Sequence, residues 1–275
     1  MGRRAAGLGM ALTIAVLMAA CGSGSGGPLA ATAGKLGDVH SGILDLRLTA
    51  AAGEQSTGEE AGFRLEGPFA QGAKGHLPVA DITYTQLEGR REQVVKVVAT
   101  GDHAYVVRNG RSYVLTDAQA NQLKVSGGSG IDLHLDRWFD NPKLTDAGTL
   151  DGVAVQRVDG PVKVADALDD LFQLSRKFGA TDVRTPRIKG DLAKRLASST
   201  ESATAQVVTG KQDHFLRHLV LDVKLRSQAP PQIREALGRL SAVRFHFDFG
   251  LSQPNRPVHV RAPSNPLPAS ELPST

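Results

Sequence analysis

The chain has 275 residues, enough for one or two domains, and 41% hydrophobic with 22% charged residues is typical of a folded globular protein. The single cysteine excludes internal disulfide bonds and thiolate metal clusters. The formal net charge of +4 is small and dispersed, so it does not indicate a nucleic-acid-binding groove.

The N-terminus has the parts of a bacterial export signal. Two arginines precede an apolar run over 5–20, which is shorter than the ~20 residues of a comfortable membrane span. Residues 17–21 read Leu-Met-Ala-Ala-Cys and resemble the bacterial lipobox, in which the cysteine thiol receives diacylglycerol and becomes the first mature residue. We predict a removed signal peptide over 1–20 and lipidation of Cys21. The alternative is a plain secretory signal with an incidental cysteine.

A tether and one domain are expected to follow the signal. Residues 22–27 contain only Gly and Ser, so we predict a flexible tether within 21–34. Two or three acyl chains on Cys21 give stable anchoring, where one chain does not. No later stretch reaches membrane-spanning length without charge, so we expect 35–262 to be one soluble domain outside the cytoplasm.

Alternation of apolar and polar residues predicts half-buried strands through this domain. Every odd-numbered residue over 243–251 is apolar, and similar runs occupy 44–48, 63–66 and 219–225. Turn signals punctuate the runs at Glu88-Gly89, Gly101-Asp102, Asn109-Gly110, Asp151-Gly152 and Asp159-Gly160. We predict a curved antiparallel sheet of roughly nine to eleven strands with one polar face.

Helices are predicted in the second half of the chain. Asp166 is expected to cap the first and Gly179 to stop it, Thr185-Pro186 to open the second, and Pro230-Pro231 the third. Each has one apolar stripe, and the economical arrangement places the helices over the apolar face of the sheet, giving an α+β fold. The proline-rich tail over 263–275 is expected to run extended and mobile.

The order of these features resembles the actinobacterial LppX/LprG family of cell-envelope lipoproteins, which share a LolA/LolB-like half-barrel. The resemblance is carried by the lipobox Cys21, the Gly/Ser tether, the Asn109-Gly110 hairpin, the Thr209-Gly210-Lys211-Gln212-Asp213 turn and the closing segment 255–263. It implies a curved sheet wrapped around helices with an apolar cavity between them, and an acylated lipid or glycolipid as ligand. No catalytic motif comes with it.

Residues that line such a cavity are predicted by strand phase, with one taken from the covering helix. They are Leu46, Leu48, Leu65, Phe172, Leu221, Val223, Phe245 and Phe247. Apolar inward positions suit acyl chains and equally suit an ordinary packed core, so both interpretations stay open.

A few histidines and aspartates have spacings that also occur in catalytic or metal-binding sites. His214 and His218 have the spacing of a zincin helix, but in a strand they would be roughly 13 Å apart, too far to share one metal. Asp169 and Asp170 are explained more simply by a helix dipole, and His246 as a solvated residue. We predict no metal, no cofactor and no enzymatic activity.

Arginines at two predicted turns form a separate candidate. Arg90, Arg91, Arg108 and Arg111 either keep a solvated sheet edge from pairing, which we favour, or contact anionic lipid headgroups. The leading functional hypothesis is a membrane-anchored lipoprotein that binds an acylated lipid without covalent attachment, for holding or transfer. The alternative is an interaction module of the same fold with a filled core, which contacts another envelope protein.

Overall fold

The structure is a computed structural model that describes residues 27–51, 60–73, 75–121, 133–177, 187–226, 230–232 and 244–272. These residues form an α+β fold in which one large curved sheet is open, with β12 at one edge and β7 at the other. The predicted signal peptide, Cys21 and most of the Gly/Ser segment lie outside the described residues.

The described residues contain five α-helices and twelve strands. The helices are α1 Pro28–Lys35, α2 Asp117–Asn121, α3 Leu135–Trp138, α4 Val164–Lys177 and α5 Gly190–Ser199. The strands are β1 Ser41–Ala51, β2 Glu60–Ala70, β3 Val79–Glu88, β4 Arg91–Thr100, β5 Ala104–Arg108, β6 Arg111–Val114, β7 Lys143–Leu150, β8 Val153–Pro161, β9 Thr200–Gly210, β10 Leu216–Leu225, β11 Arg244–Ser252 and β12 Leu267–Pro268.

The sheet consists of two antiparallel meanders joined at its centre. Its order is β12-β6-β5-β4-β3-β2-β1-β11-β10-β9-β8-β7. Strands β1 and β11 pair along the whole length of β11, from Ile43 opposite Ser252 to Ala51 opposite Arg244. The first and last long strands of the described chain therefore lie side by side, and apart from β12 each half of the sheet is built from sequence-adjacent strands.

The predicted fold class is confirmed, with three corrections to its strands. The described sheet has twelve strands instead of nine to eleven, because Leu267 and Pro268 of the tail pair with β6. That pairing is parallel, so the sheet is mixed. Asp159-Gly160 is not a turn: both residues belong to β8, where Asp159 pairs with Gln206 and accepts a hydrogen bond from its side chain at 3.0 Å.

The helix boundaries also differ from the prediction. Asp166 does not cap α4, since the carbonyl of Lys163 already accepts the N–H groups of Asp166 and Ala167. The described part of the next helix, α5, begins at Gly190, and the Ile188 N–H before it is bound by the Asp169 carboxylate at 2.9 Å. The predicted opening at Thr185-Pro186 lies outside the described residues. The stop at Gly179 and most of the helix predicted after Pro231 lie outside the described residues.

Both ends of the described chain are attached to the domain. Helix α1 starts at Pro28, inside the predicted tether; it buries Leu29, and the Thr32 hydroxyl lies 2.8 Å from the Thr209 hydroxyl of β9. The tail forms β12 and a 3₁₀ turn over Ala269–Glu271 instead of running free. The ordered part of the domain therefore extends beyond the predicted limits of 35–262.

The main core lies between the helices and the half of the sheet formed by β8 to β11. Leu135, Trp138 and Leu196 from the helices are fully buried in one cluster with Leu219 and Leu221 of β10. The strongest helix-to-strand contacts are those of α1 with β9 and β10 and of α5 with β9. The helices therefore cover this half of the sheet most closely.

Candidate functional site

One face of the sheet carries an apolar row across eight neighbouring strands. We call it the inner face, because on β8 to β11 it packs against the helices. Residues directly opposite in antiparallel ladders share a face, so the pairings define the row without reference to side-chain direction. From β8 to β4 the row reads Val158, Val207, Leu219, Phe249, Leu46, Leu65, Tyr84 and Val95.

Burial changes sharply along this row. Val158 is 3% exposed and Val207 and Leu219 are 0% exposed beneath the helices. From Phe249 to Val95 every member is only partly buried. The inner face thus has a covered half, on β8 to β11, and an open half, which we define as Leu46, Leu48, Phe63, Leu65, Tyr84 and Val95 on β1 to β4.

Two aromatic rings mark the middle of the open half. Phe63 and Tyr84 stack with their ring centroids 6.0 Å apart and their planes at 28°. Burial raises the pKa of the Tyr84 phenol above its ordinary value, because the phenolate is poorly hydrated in this apolar setting. The open half is therefore a low-polarity surface even though its side chains are partly accessible.

The opposite, outer face carries ion pairs. Arg64 binds Asp45 at 3.2 Å and Glu66 at 2.6 Å, and Lys96 binds Asp81 at 2.8 Å. These pairs lie on β1 to β4, the strands whose inner positions form the open half. The contrast between the faces agrees with the predicted one-sided sheet, and it leaves a partly accessible apolar surface on the inner side.

The eight predicted lining residues divide between the two halves. Leu46, Leu48 and Leu65 lie on the open half and are partly buried. The other five belong to the packed core and are at most 7% exposed; they are Phe172, Leu221, Val223, Phe245 and Phe247. The structure thus brings all of them to the inner side, but places five where other side chains already surround them.

Sequence reasoning missed several members of the inner face, and the partly buried ones among them include Phe63, Tyr84, Val95 and Phe249. Phe63 and Phe249 stand in the predicted alternating runs over 63–66 and 243–251, in phase with the predicted lining residues Leu65 and Phe247. Tyr84 and Val95 were missed for a different reason. Tyr84 alternates with threonines in a run too short to stand out, from Ile82 to Thr85, whereas Val95 follows another valine, which obscures the period of two.

The candidate histidines and carboxylates have structural partners. His214 precedes β10 in a left-handed turn with φ 55°, so only His218 of the pair lies on a strand. His246 is not simply solvated, because its Nδ1 lies 2.7 Å from Asp222. Across the described ranges no group of three His, Cys, Asp or Glu side chains is placed to hold a metal ion.

Asp169 and Asp170 do not serve the helix dipole. They lie well inside α4, where Asp169 binds the backbone of Ile188 and Asp170 is buried. Asp170 accepts hydrogen bonds from the indole of Trp138 at 2.8 Å and from the backbone of His134 at 2.7 Å. Both carboxylates therefore hold helices and loops together.

None of the helices in the described segments has both the length and the hydrophobicity required to cross a bilayer.

No family model matches the chain, and no curated protein matches it. Among solved structures, LprF from Mycobacterium bovis is similar at 13% identity and a TM-score of 0.43, with 86% of this chain and 95% of that chain covered. The Mycobacterium tuberculosis lipoprotein LppX is similar at 14% identity and a TM-score of 0.37, with 86% and 100% covered.

Proposed function

We propose that this protein is a membrane-anchored envelope lipoprotein that binds an acylated lipid or glycolipid on its inner sheet face, for holding or transfer. The observation that carries the proposal is the apolar row that continues, strand after strand, beyond the part that the described helices cover. A contiguous apolar surface that stays partly accessible to solvent is a better candidate for a binding site than scattered single leucines are.

The shape of the open half suits an acyl chain. From Leu46 to Val95 the row crosses four strands, and at about 4.8 Å per strand step it extends on the order of 14 Å. An extended hydrocarbon laid along it would remove apolar surface from water on both partners, at about 25 cal/mol for each Å² buried. The open half holds no charged side chain, so an acyl chain bound there would desolvate no charge within it.

Anchoring is inferred from the sequence. Cys21 stands at the predicted cleavage site, and the short Gly/Ser segment after it leads to α1, which begins at Pro28 and packs on the domain. The chain between the lipidated residue and the fold is therefore short. The domain would be held close to the bilayer from which an acylated ligand is drawn or to which it is delivered.

A second candidate is an interaction module with a filled core. It is favoured by one observation: Phe172, Leu221, Val223, Phe245 and Phe247 pack in a single cluster beneath the helices. In that case the open half would be covered by a protein partner. Either function is one of binding, without catalysis.

Native mass spectrometry separates the two candidates. The protein from Gly27 onward lacks Cys21 and any covalent lipid, so a bound mass that disappears on denaturation identifies a non-covalent ligand. We expect such a mass, and we expect Leu65→Glu to remove it, because that change puts a charge in the open half. Val94→Glu is the matched control, since Val94 is 50% exposed and lies one position away from the inner-face Val95.

The fold of each variant is checked by its circular dichroism and thermal transition. A folded Leu65→Glu protein that still carries lipid would contradict the proposed binding face. A clean apo mass for the unsubstituted protein, after expression in a host that makes the lipids of its native envelope, would favour the interaction module.

A further inference from the structure

The inner face changes character along β3 and β4 as these strands approach their shared turn. On β3, Ile82 and Tyr84 are followed on the same face by Gln86 and Glu88. On β4, read toward the same turn, Val97 and Val95 give way to Gln93 and Arg91. The β3–β4 ladder has no register shift, so successive side chains keep alternating between the two faces up to the turn. The apolar surface therefore ends in a polar and charged margin.

The next turn repeats this change. Val106 and Tyr113 are opposite each other on the inner face, and two residues nearer the turn Arg108 and Arg111 are opposite each other. Like charges directly across a ladder are destabilising. Arg108 already has an interaction partner, and Arg111 is exposed. The pair therefore places two positive charges side by side at this end of the inner face.

Together these residues form a basic margin. Over β1 to β6 and β11, all within the described residues, the charged side chains at inner-face positions are Glu88, Arg91, Arg108 and Arg111. We call them the arginine rim. Glu88 is the single acid, and it accepts a hydrogen bond from Gln86 at 2.9 Å. The other inner-face positions of these strands are uncharged.

We propose that the arginine rim binds the anionic headgroup of the lipid whose acyl chain lies on the open half. This inference rests on the proposed function and narrows its ligand to an acylated lipid that carries a phosphate or another anion. The strand register places three arginines on the inner face beside the apolar surface. This placement favours headgroup binding over the solvated sheet edge that the sequence alone favoured.

The spacing suits one amphiphile. Arg91 and Val95 lie on the same face of β4, four residues and about 13 Å apart, so a headgroup at the rim adjoins a chain on the open half. Guanidinium groups bind phosphate and carboxylate through paired N–H donors, and they keep their charge at all physiological pH values. A free anion would contact only the arginine rim, whereas an anionic lipid would contact both the arginine rim and the open half.

The test uses the full chain in non-ionic detergent micelles with two photoreactive probes. Both probes carry the same benzophenone-bearing acyl chains, one as phosphatidylglycerol and the other as phosphatidylcholine. We expect phosphatidylglycerol to label the protein more strongly, with the labelled peptides in β1 to β4. Arg91→Gln with Arg111→Gln should lower that labelling about tenfold, the scale of two partly screened ion pairs.

Two control variants make the result specific. Lys194→Gln with Arg195→Gln removes the same charge from exposed positions on α5 and should leave labelling unchanged. Arg91→Lys with Arg111→Lys keeps the charge and should retain most of the labelling. All substituted side chains are exposed, so the variants are expected to fold, which circular dichroism verifies.

Three outcomes count against the proposal. Equal labelling by both probes, unchanged in the glutamine variant, would show lipid binding without headgroup recognition by the rim. Rim-dependent labelling confined to peptides outside β1 to β4 would show that the arginines touch the micelle surface and not a bound lipid. Labelling by neither probe would overturn the proposed lipid-binding function as well, which the first two outcomes leave standing.

Discussion

Asp170 and Trp138 are joined by a buried hydrogen bond in which the indole Nε1–H donates to the carboxylate at 2.8 Å. The same carboxylate accepts the backbone N–H of His134 at 2.7 Å, and Trp138 is 0% exposed. A single side chain of α4 thereby fixes both the start of α3 and the largest residue of the core. The covered half of the inner face depends on this attachment.

Replacing Asp170 should therefore destabilise the domain. Asp170→Ala leaves two buried N–H donors without their acceptor, and we expect a loss of about 3 kcal/mol in the free energy of unfolding. Urea denaturation followed by fluorescence measures it directly, because Trp138 is the only tryptophan. Asp136→Ala, at an exposed position of α3, is the control. Equal effects of the two changes would contradict a structural role for Asp170.

The two halves of the inner face should also respond differently to cavity-forming substitutions. Leu219 and Leu65 belong to the same row, but Leu219 is 0% exposed and Leu65 is partly buried. We expect Leu219→Ala to cost about 2–5 kcal/mol and Leu65→Ala roughly 1 kcal/mol, because water can refill the second site. Chemical denaturation of both variants gives the comparison. A similar cost at the two positions would mean that the open half is as well covered as the core.

Sequence alternation predicted which face a residue occupies, but not what covers that face. Phe247 and Leu65 both stand in runs where apolar and polar residues alternate, yet Phe247 lies in the core and Leu65 on the open half. The difference is set by helices distant in sequence, whose position no local period records. The Asn109-Gly110 hairpin, by contrast, was predicted and found, since its turn chemistry is entirely local.

The structural carboxylates show the same limit. Asp170 reads as an ordinary helix residue in the sequence, and its role depends on Trp138 and His134, more than thirty positions away in the chain. The arginine rim was partly visible, because the turns of Arg91 and Arg111 could be predicted. Their place on the inner face followed only from the registers of β3 to β6.

Tyr84 gives a pH-dependent signature of the open half. Its pKa is raised by burial in the folded state, so the unfolded chain releases the phenolic proton at a lower pH. The resulting stabilisation is fully present below the ordinary tyrosine pKa of about 10 and is lost as pH rises through the folded-state value. Tyr84→Phe should therefore reduce the loss of stability in alkaline solution. Thermal unfolding between neutral pH and about pH 11 compares the two proteins.

The same side chain can report ligand binding. An acyl chain laid beside Tyr84 would remove more water from the phenol and raise its pKa further, which ultraviolet titration of the phenolate detects. Tyr84→Phe assigns the signal by its disappearance. If saturating lipid leaves the Tyr84 titration unchanged, the acyl chain does not lie on the open half.

The anchor is tested at Cys21. If this residue carries the predicted diacylglyceryl group, cells fed a clickable palmitate analogue should label the protein, and the protein should sediment with membranes. Cys21→Ala removes the only thiol of the chain and should abolish both labelling and processing after Ala20. Ser23→Ala, two residues further on, should change neither. Because several acyl chains on one residue are needed for stable attachment, an unlabelled protein that is released into the medium would instead establish the plain secretory signal.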